Sequence, residues 1–548
     1  MQKSYYILLL SLLLIPQAFA QTGTCEPALG EATLEGYNVR ARMLNNGALF
    51  WRGSPHVYRV PKAGYSNAIF AASLWIGGKV DGKIRSAASR YGPWEYWAGP
   101  LDQTGNAPAD CKLYDKIWEI RPEDVTTYLE TGEISNNLKS WPWHLGAPVI
   151  DGDGNPDNYN LAGGDQPQLL GDQHLWWIMN DRGNVHQATD SEPLGIEVRV
   201  SAHAYNSPNE ILGDNTFYRY RITNRNAVPI EDAYFGFYVD PDLGNFDDDY
   251  IGSDSLLHLG YFYNADNEDE GGEGYGLAPP AAGFTFLRTP PAKPDNRDSD
   301  YDGEIDEALE ELGMTAFACI WKWSSPRDNI GYYNCLRGLR SYGDPIYEGG
   351  YGGEGEGVKT TKYTLSGDPV TKAFWSEFNA DGMGLVVDAA DRRLMLSTGP
   401  FDILPDSTQE IDLAVVWSRG ADHLDSVTEL KKDTRVLHNA GNALWPAQRI
   451  ILQEEQTIET GFVLGFDQNF PNPFTQTTTF RYSLPQSMRI RMSVYDILGR
   501  EVALLVNTRQ EAGIYTVNFD AGTLPAGIYM ARIEMDYLQF TKRMVLIR

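Results

Sequence analysis

Apolar and polar residues alternate with a period of two along much of the chain. In LGIEVRVSAHAY, Ile196, Val198, Val200 and Ala202 share one face of an extended segment, and Glu197, Arg199 and Ser201 take the other. NTFYRYRITNRN repeats the pattern through Phe217, Tyr218, Tyr220 and Ile222, then breaks at the turn residues Asn224–Asn226. EDAYFGFYVD and QEIDLAVVWSRG read as further strands. Runs of this kind, punctuated by turn residues, predict antiparallel β-sandwich domains with long loops, a mainly β fold. Helical periodicity is clearest in ADHLDSVTELKKDTRVLHNAGNAL, where Leu424, Val427, Leu430, Val436 and Leu437 lie along one face and Gly441 is placed to end the helix. Segments 264–310 and 341–358 read as irregular insertions, the second containing the Gly-rich EGGYGGEGEG.

The first twenty residues depart from this pattern. Lys3, the apolar run YYILLLSLLLI and the small-x-small step Ala18-Phe19-Ala20 predict a secretory signal cleaved after Ala20. The run is shorter than the roughly 20 residues that a bilayer span needs, and no later segment meets that length, so the mature chain is expected to have no transmembrane segment. Export to an oxidising compartment makes Cys25, Cys111, Cys319 and Cys335 disulfide candidates. Cys319 and Cys335 lie in two strand-like runs, MTAFACIWKW and GYYNCLRG, so pairing across a hairpin is the simplest expectation; free buried thiols are the alternative.

Charge divides the chain. The formal net charge is −29, yet from Phe466 onward there are nine Lys+Arg against seven Asp+Glu, leaving 36 basic and 67 acidic residues before it. Between Glu231 and Glu310 there are twenty-one acids and three basic residues. Such a body repels nucleic acid and anionic surfaces and suits divalent cations. The expected organisation is a signal at 1–20, an acidic β-rich body over 21–450, a linker at 451–465 and a small β module over 466–548.

That last module is the best-patterned part of the sequence. TTTFRYSLP, MRIRMSVYDILGREVALLV, GIYTVNFDA, GIYMARIEM and FTKRMVLIR alternate apolar and polar residues between turn residues. The steps Phe470-Pro471 and Asn472-Pro473 force extended or turn geometry ahead of the first strand. A small Ig-like β-sandwich follows. QNFPNPF at Gln468–Phe474, VYDILGREV at Val494–Val502, LPAGIYMARI at Leu524–Ile533 and KRMVLIR at Lys542–Arg548 resemble the type A C-terminal sorting domain of the type IX secretion system, a family of the Bacteroidota. The resemblance implies that the type IX machinery is a partner, with delivery to the cell surface or release from it. The main body is similar to large exported proteins that carry the same tail, through NAIFAASLWIGG, GDQHLWWIMND, DDDYIGSDSLLHLGYFYNADNED and STGPF. That similarity implies no particular activity.

Candidate chemistry is acidic. In DNRDSDYDGEIDE, Asp298, Asp300 and Asp302 alternate ahead of Gly303, with Glu304 offering a backbone carbonyl and Asp306 a further carboxylate. This matches the first nine positions of a calcium loop, but Leu309 stands where the loop closes on a bidentate glutamate. A second candidate is Asp151, Asp153, Asn155 and Asp157, with Pro156 where the calcium loop has glycine. A third is Asp247, Asp248, Asp249 and Asp254, where mutual repulsion of adjacent carboxylates argues for a cation. Calcium is the expected cofactor.

The sequence contains no HExxH, no GxSxG and no paired-cysteine zinc spacing. The aromatic clusters YGPWEYWAGP and SWPWHLGAP stack on sugar rings if exposed and fill a core if buried. The leading expectation is a calcium-stabilised binding or structural protein, with polysaccharide or surface glycan as partner. A secreted polysaccharide hydrolase is the alternative.

Overall fold

The computed structural model describes residues 23–53, 57–292, 311–320 and 325–440 apart from 354 and 356, and 465–547 apart from 467, 468, 470, 473, 485–487, 496–499, 512, 523, 526, 536 and 537. Ala20 and nearly all of the 451–465 linker lie outside these residues. The fold is mainly β, with 40 % strand and 14 % helix. The chain divides into two compact units, 1–435 with 446–449 and 436–445 with 450–548. Among the described residues no helix is long and apolar enough to cross a membrane.

Two nine-stranded antiparallel sheets build the larger unit. The first runs Glu31–Glu35, Arg40–Leu44, Ala48–Leu49, Ala71–Val80, Ile230–Asp240, Leu394–Ile403 and Ala316–Cys319. The second runs Asp249–Asp254, Leu259–Asn264, Ala281–Arg288, Thr408–Ser418, Thr216–Asn224, Ile196–Ala204, Gln173–Asn180 and Trp97–Ala98. The period-two pattern explains how they pack as a sandwich. Ile196, Val198, Val200 and Ala202 are buried in one core with Trp75, Phe235 and Phe237 of the facing sheet. Ring contacts tie the layers: Tyr220 lies 5.4 Å from Phe235 and 5.5 Å from Phe237, and Phe237 lies 5.8 Å from Phe284. Each such pair adds roughly 0.5–1.5 kcal/mol to the burial itself.

The outward face of the second sheet is also covered. Within segment 99–170, the strand Trp118–Ile120 pairs with Gln173–Asn180 in the sheet itself, and Trp141 covers its outer face 5.2 Å from His174. Glu197 is therefore buried, pairs with Arg199 at 2.7 Å and Arg225 at 3.2 Å, and accepts the Leu101 amide at 2.9 Å. Trp176 and Trp177 are core residues, as are Tyr96, Trp97 and Trp141 of the two aromatic clusters.

Several expectations change. Residues 281–288, expected to be irregular, form a central strand because Phe284 and Phe286 alternate inward behind a Gly/Pro-rich flank. The helix is present over His423–Ala440, but Val436 is 43 % exposed; Val427, Leu430, Thr434 and Leu437 make its buried face. Cys25 is bonded to Cys111, while Cys319 and Cys335 are free thiols. The expected hairpin bond is not formed because GYYNCLRG is helical over Asn329–Leu336, capped by the Asp328 carboxylate on the Gly331 amide at 2.8 Å.

The smaller unit has a three-stranded sheet, Gly465–Phe466, Thr477–Leu484 and Gly513–Asp520, and a four-stranded sheet, Glu501–Gln510, Met488–Tyr495, Gly527–Met535 and Leu538–Leu546. Phe480, Tyr482, Ile490, Met492, Ala531 and Met544 fill the core between them. The QNFPNPF motif acts as a clasp. Asn469 donates to Thr478 Oγ1 at 2.9 Å, and Asn472 Oδ1 accepts the Val545 amide at 2.8 Å, so the first and last strands are held together.

One buried histidine contributes to the stability of the larger unit. Both nitrogens of His186 face backbone carbonyls, Nδ1 that of Ser86 at 3.2 Å and Nε2 that of Asp181 at 2.7 Å, so both must carry protons to donate. The carboxylates of Glu95 and Asp181 lie 3.5 and 3.9 Å from the ring nitrogens. Burial alone lowers the imidazole pKa, but these carboxylates override it and hold the value at about 9 rather than 6.5. The protonated ring then contributes about 3 kcal/mol, complete below pH 6.5 and lost as pH climbs through 9. Urea melts are expected to show stability declining across that interval, with the decline absent in His186→Gln. A wild-type profile flat from pH 6 to 9.5 overturns the assignment.

Candidate metal centre

Strand Ile230–Asp240 ends in an acidic corner. Asp240 is 2 % exposed, and Asp242 follows Pro241 with a left-handed backbone, φ 48°, that turns the chain at the strand end. Single carboxylate oxygens of Asp240, Asp242 and Asp391 all lie within 4.8 Å of one another. Arg393 is in contact with the group, and the charge of Arg90 also acts on Asp240. Arg393 bonds Asp391 at 2.8 Å and lies 3.4 Å from Asp240 Oδ1, and the Tyr91 hydroxyl donates to Asp240 Oδ2. Burial, then the charges of Asp240 and Asp391, push the Asp242 carboxyl up to about 8; burial pushes Asp240 up to about 6.

Asp249, directly after the adjacent short helix, extends the corner. It is 1 % exposed; its Oδ2 accepts the Leu243 amide at 3.1 Å, and its Oδ1 accepts no hydrogen bond. Burial raises its pKa well above the ordinary range, and Asp242 is the nearby acid that adds most. Asp248 is raised to about 7 by burial, then by Asp269. Asp269 itself is held by the amides of Asn245 at 3.0 Å and Tyr275 at 2.7 Å.

The run expected as the third site therefore splits. Asp248 and Asp249 face this region, Asp247 is exposed, and Asp254 pairs with Lys431 at 3.3 Å. Asp240 and Asp242 open the acidic stretch DPDLGNFDDDYIGSD read as the third candidate but were not picked out as ligands, and Asp391 was not anticipated. Asp240-Pro241-Asp242 stands a few residues ahead of the run and was a usable signal, whereas Asp391 is distant in sequence and only the fold brings it in.

The second predicted loop is differently composed. Asp151 and Asp153 gather with buried Asp165, while Asn155 shapes the turn and Asp157 is exposed. Asp151 Oδ1 accepts the Gly154 amide at 2.7 Å, and Asp165 accepts those of Gly152 at 2.9 Å and Asn160 at 2.6 Å. Side-chain bonds from Asn160 and Asn158 hold the Asp153 carboxyl below its usual range. The loop is satisfied by its own donors. Asp298, Asp300, Asp302, Glu304 and Asp306 lie outside the described residues.

Other reactive groups are poorly placed for chemistry. Burial pushes the Cys335 thiol up to about 12 and raises Cys319 as well. His174 is buried and pushed down to about 3. An open groove of about 840 Å³ is bordered by Tyr351, Val358, Phe374, Asp381 and Val386. The amides of Leu385 and Met383 hold the Asp381 carboxyl below its usual range. Glu377, pushed up to about 7 by burial, is bonded to Arg392 at 2.8 Å.

Residues 468–547 match the family model described as secretion system C-terminal sorting domain. The smaller unit is thus a sorting domain of the type IX secretion system, and the protein is exported to the cell surface or secreted. No curated protein matches the chain. A solved polysaccharide lyase aligns at 9 % identity with a TM-score of 0.19, covering 73 % of this chain and 42 % of that one. The chain spans less than half the length of that protein.

Deletion of Phe466–Arg548 is expected to leave the protein in the periplasm, as read by cell fractionation and surface labelling. Surface display of the truncated form at the full-length level would refute the role of the unit.

Proposed function

We propose that the exported main body is a calcium-stabilised binding or structural protein. The observation that carries the reading is the acidic corner, where Asp240, Asp242 and Asp391 gather beside Arg393 and the buried Asp249 lies near Asp242 with no cation bonded to it. A buried carboxylate without a counter-charge is strongly destabilising, and outside the cell calcium is the hard cation suited to all-oxygen ligands. The loops at 151–165 and 298–306 are further places where calcium ordering would act.

The groove supports a binding role. Tyr351 is 45 % and Phe374 44 % exposed, so both offer ring surface to a polysaccharide or surface glycan. A glycosidase needs one carboxyl with raised proton affinity beside a second carboxylate. Among the carboxylates lining the groove, Asp381 is held below its usual range by backbone amides and Glu348 pairs with Lys359 at 2.6 Å, while Glu377, the raised carboxyl, lies outside the lining and is bonded to Arg392. Binding is therefore favoured over hydrolysis.

Calcium in excess is expected to raise the thermal midpoint by a few degrees, since a ligand at 100 times its Kd adds about 2.7 kcal/mol. Identical melts in calcium and in chelator would sink the calcium reading. On a panel of insoluble polysaccharides, retention without release of reducing ends supports binding; release of reducing ends replaces it with hydrolysis.

A further inference from the structure

We infer that Asp240, Asp242, Asp249 and Asp391 together hold a single calcium ion at the end of strand Ile230–Asp240. The inference rests on the calcium reading above and gives it a site that the run Asp247–Asp249 did not define.

Three observations converge. Ligands around one calcium at roughly 2.3–2.6 Å lie within about 5 Å of each other. The oxygens of Asp240, Asp242 and Asp391 meet that limit, lying within 4.8 Å of one another. Asp249, outside that trio, supplies the independent observation. Its carboxylate is almost fully buried, Oδ2 is fixed by the Leu243 amide next to Asp242, and Oδ1 accepts no hydrogen bond. Buried polar atoms in folded proteins are almost always satisfied, so such an oxygen points to a missing ligand. Oδ1 of Asp240 and of Asp391 likewise accept no hydrogen bond, although Arg393 lies 3.4 Å from the former.

The neighbourhood adds a neutral oxygen. Asn264 stands opposite Asp249 in the strand ladder, is 0 % exposed, and its Oδ1 also lacks a donor. Its amide donates to the carbonyls of Asp266 at 3.2 Å and Glu268 at 3.4 Å, which leaves the oxygen turned away from them. The four carboxyl groups outnumber the nearby cations Arg393 and Arg90, and a divalent ion gives the donorless oxygens a partner.

The test uses the full chain. Terbium is titrated as a calcium mimic with tyrosine excitation, because the hydroxyls of Tyr91 and Tyr238 meet at 2.9 Å beside Asp240. Saturable emission displaced by calcium is expected, and Asp242→Asn and Asp249→Asn should each weaken calcium binding by about tenfold or more. Exposed Asp247→Asn should not. A wild type that ignores calcium in every assay overturns both the calcium reading and this site. A wild type that responds, with Asp242→Asn and Asp249→Asn responding equally, overturns this site alone. Should either variant not fold, anomalous diffraction from wild-type crystals grown in calcium decides. A peak ligated by Asp242 supports the site, and calcium bound only elsewhere overturns it. Magnesium in place of calcium, giving the same midpoint shift and the same affinity, overturns the assignment to calcium.

Discussion

Buried negative charge is the constraint on which the main body turns. Unit charges about 5 Å apart repel by about 3 kcal/mol at an effective dielectric near 20, and oxygens of Asp240, Asp242 and Asp391 lie within 4.8 Å of one another. Elsewhere in the larger unit several buried acids are given a cation, while Asp165 and Asp269 are held by backbone amides instead. Asp412 takes both arms of Arg219 at 2.7 Å, Glu377 takes Arg392 at 2.8 Å, and Glu197 takes Arg199 and Arg225. Glu95 and Asp181 share the imidazolium of His186. The corner around Asp242 differs, with Arg393 set against several acids. A fold that partners these buried acids is informative at the place where it does not.

Much of the sandwich was legible because its strands carry local patterns. The inward residues of Ile196–Ala204 and Thr216–Asn224 were readable from alternation alone. What covers the outer face was not, since burial of Glu197 depends on segment 99–170, which has no periodic signature of its own. Cys335 misled because an aromatic-rich run reads as a strand; the Asp328 cap that makes it a helix is a single residue outside the run. Val436 misled because several registers fit one helix, and Thr434, a polar residue, takes the inward place.

The acidic site was legible only in part, and the reason is geometric. Consecutive aspartates in the sequence look like one cluster, but Asp247 and Asp248 lie in the short helix Phe246–Asp248 and Asp249 opens the strand that follows. Asp247 is exposed, Asp249 is buried, and Asp254 finds Lys431. The residues that do meet come from a strand end, the turn after it and Asp391 just before a neighbouring strand. Long-range placement of this kind is set by sheet order. The sorting unit is the opposite case: Asn469 and Asn472 perform their clasp within a compact module, so a short motif could reveal it.

The position of the corner bears on what a cation there would do. Asp240 ends a strand whose Phe235, Phe237, Tyr238 and Val239 are core, and its carbonyl accepts the Phe70 amide at 3.1 Å at the start of the neighbouring strand Ala71–Val80. Asp249 opens the edge strand of the facing sheet. An ion ligated by both would join the two sheets at one end of the sandwich, close to the aromatic contacts that hold them together. Its carboxylates are turned inward or shared with Arg393, which suits bracing the fold far better than presenting metal to a substrate. On the proposed binding reading, recognition would fall to open surfaces such as the groove bordered by Tyr351 and Phe374, whose rings are exposed.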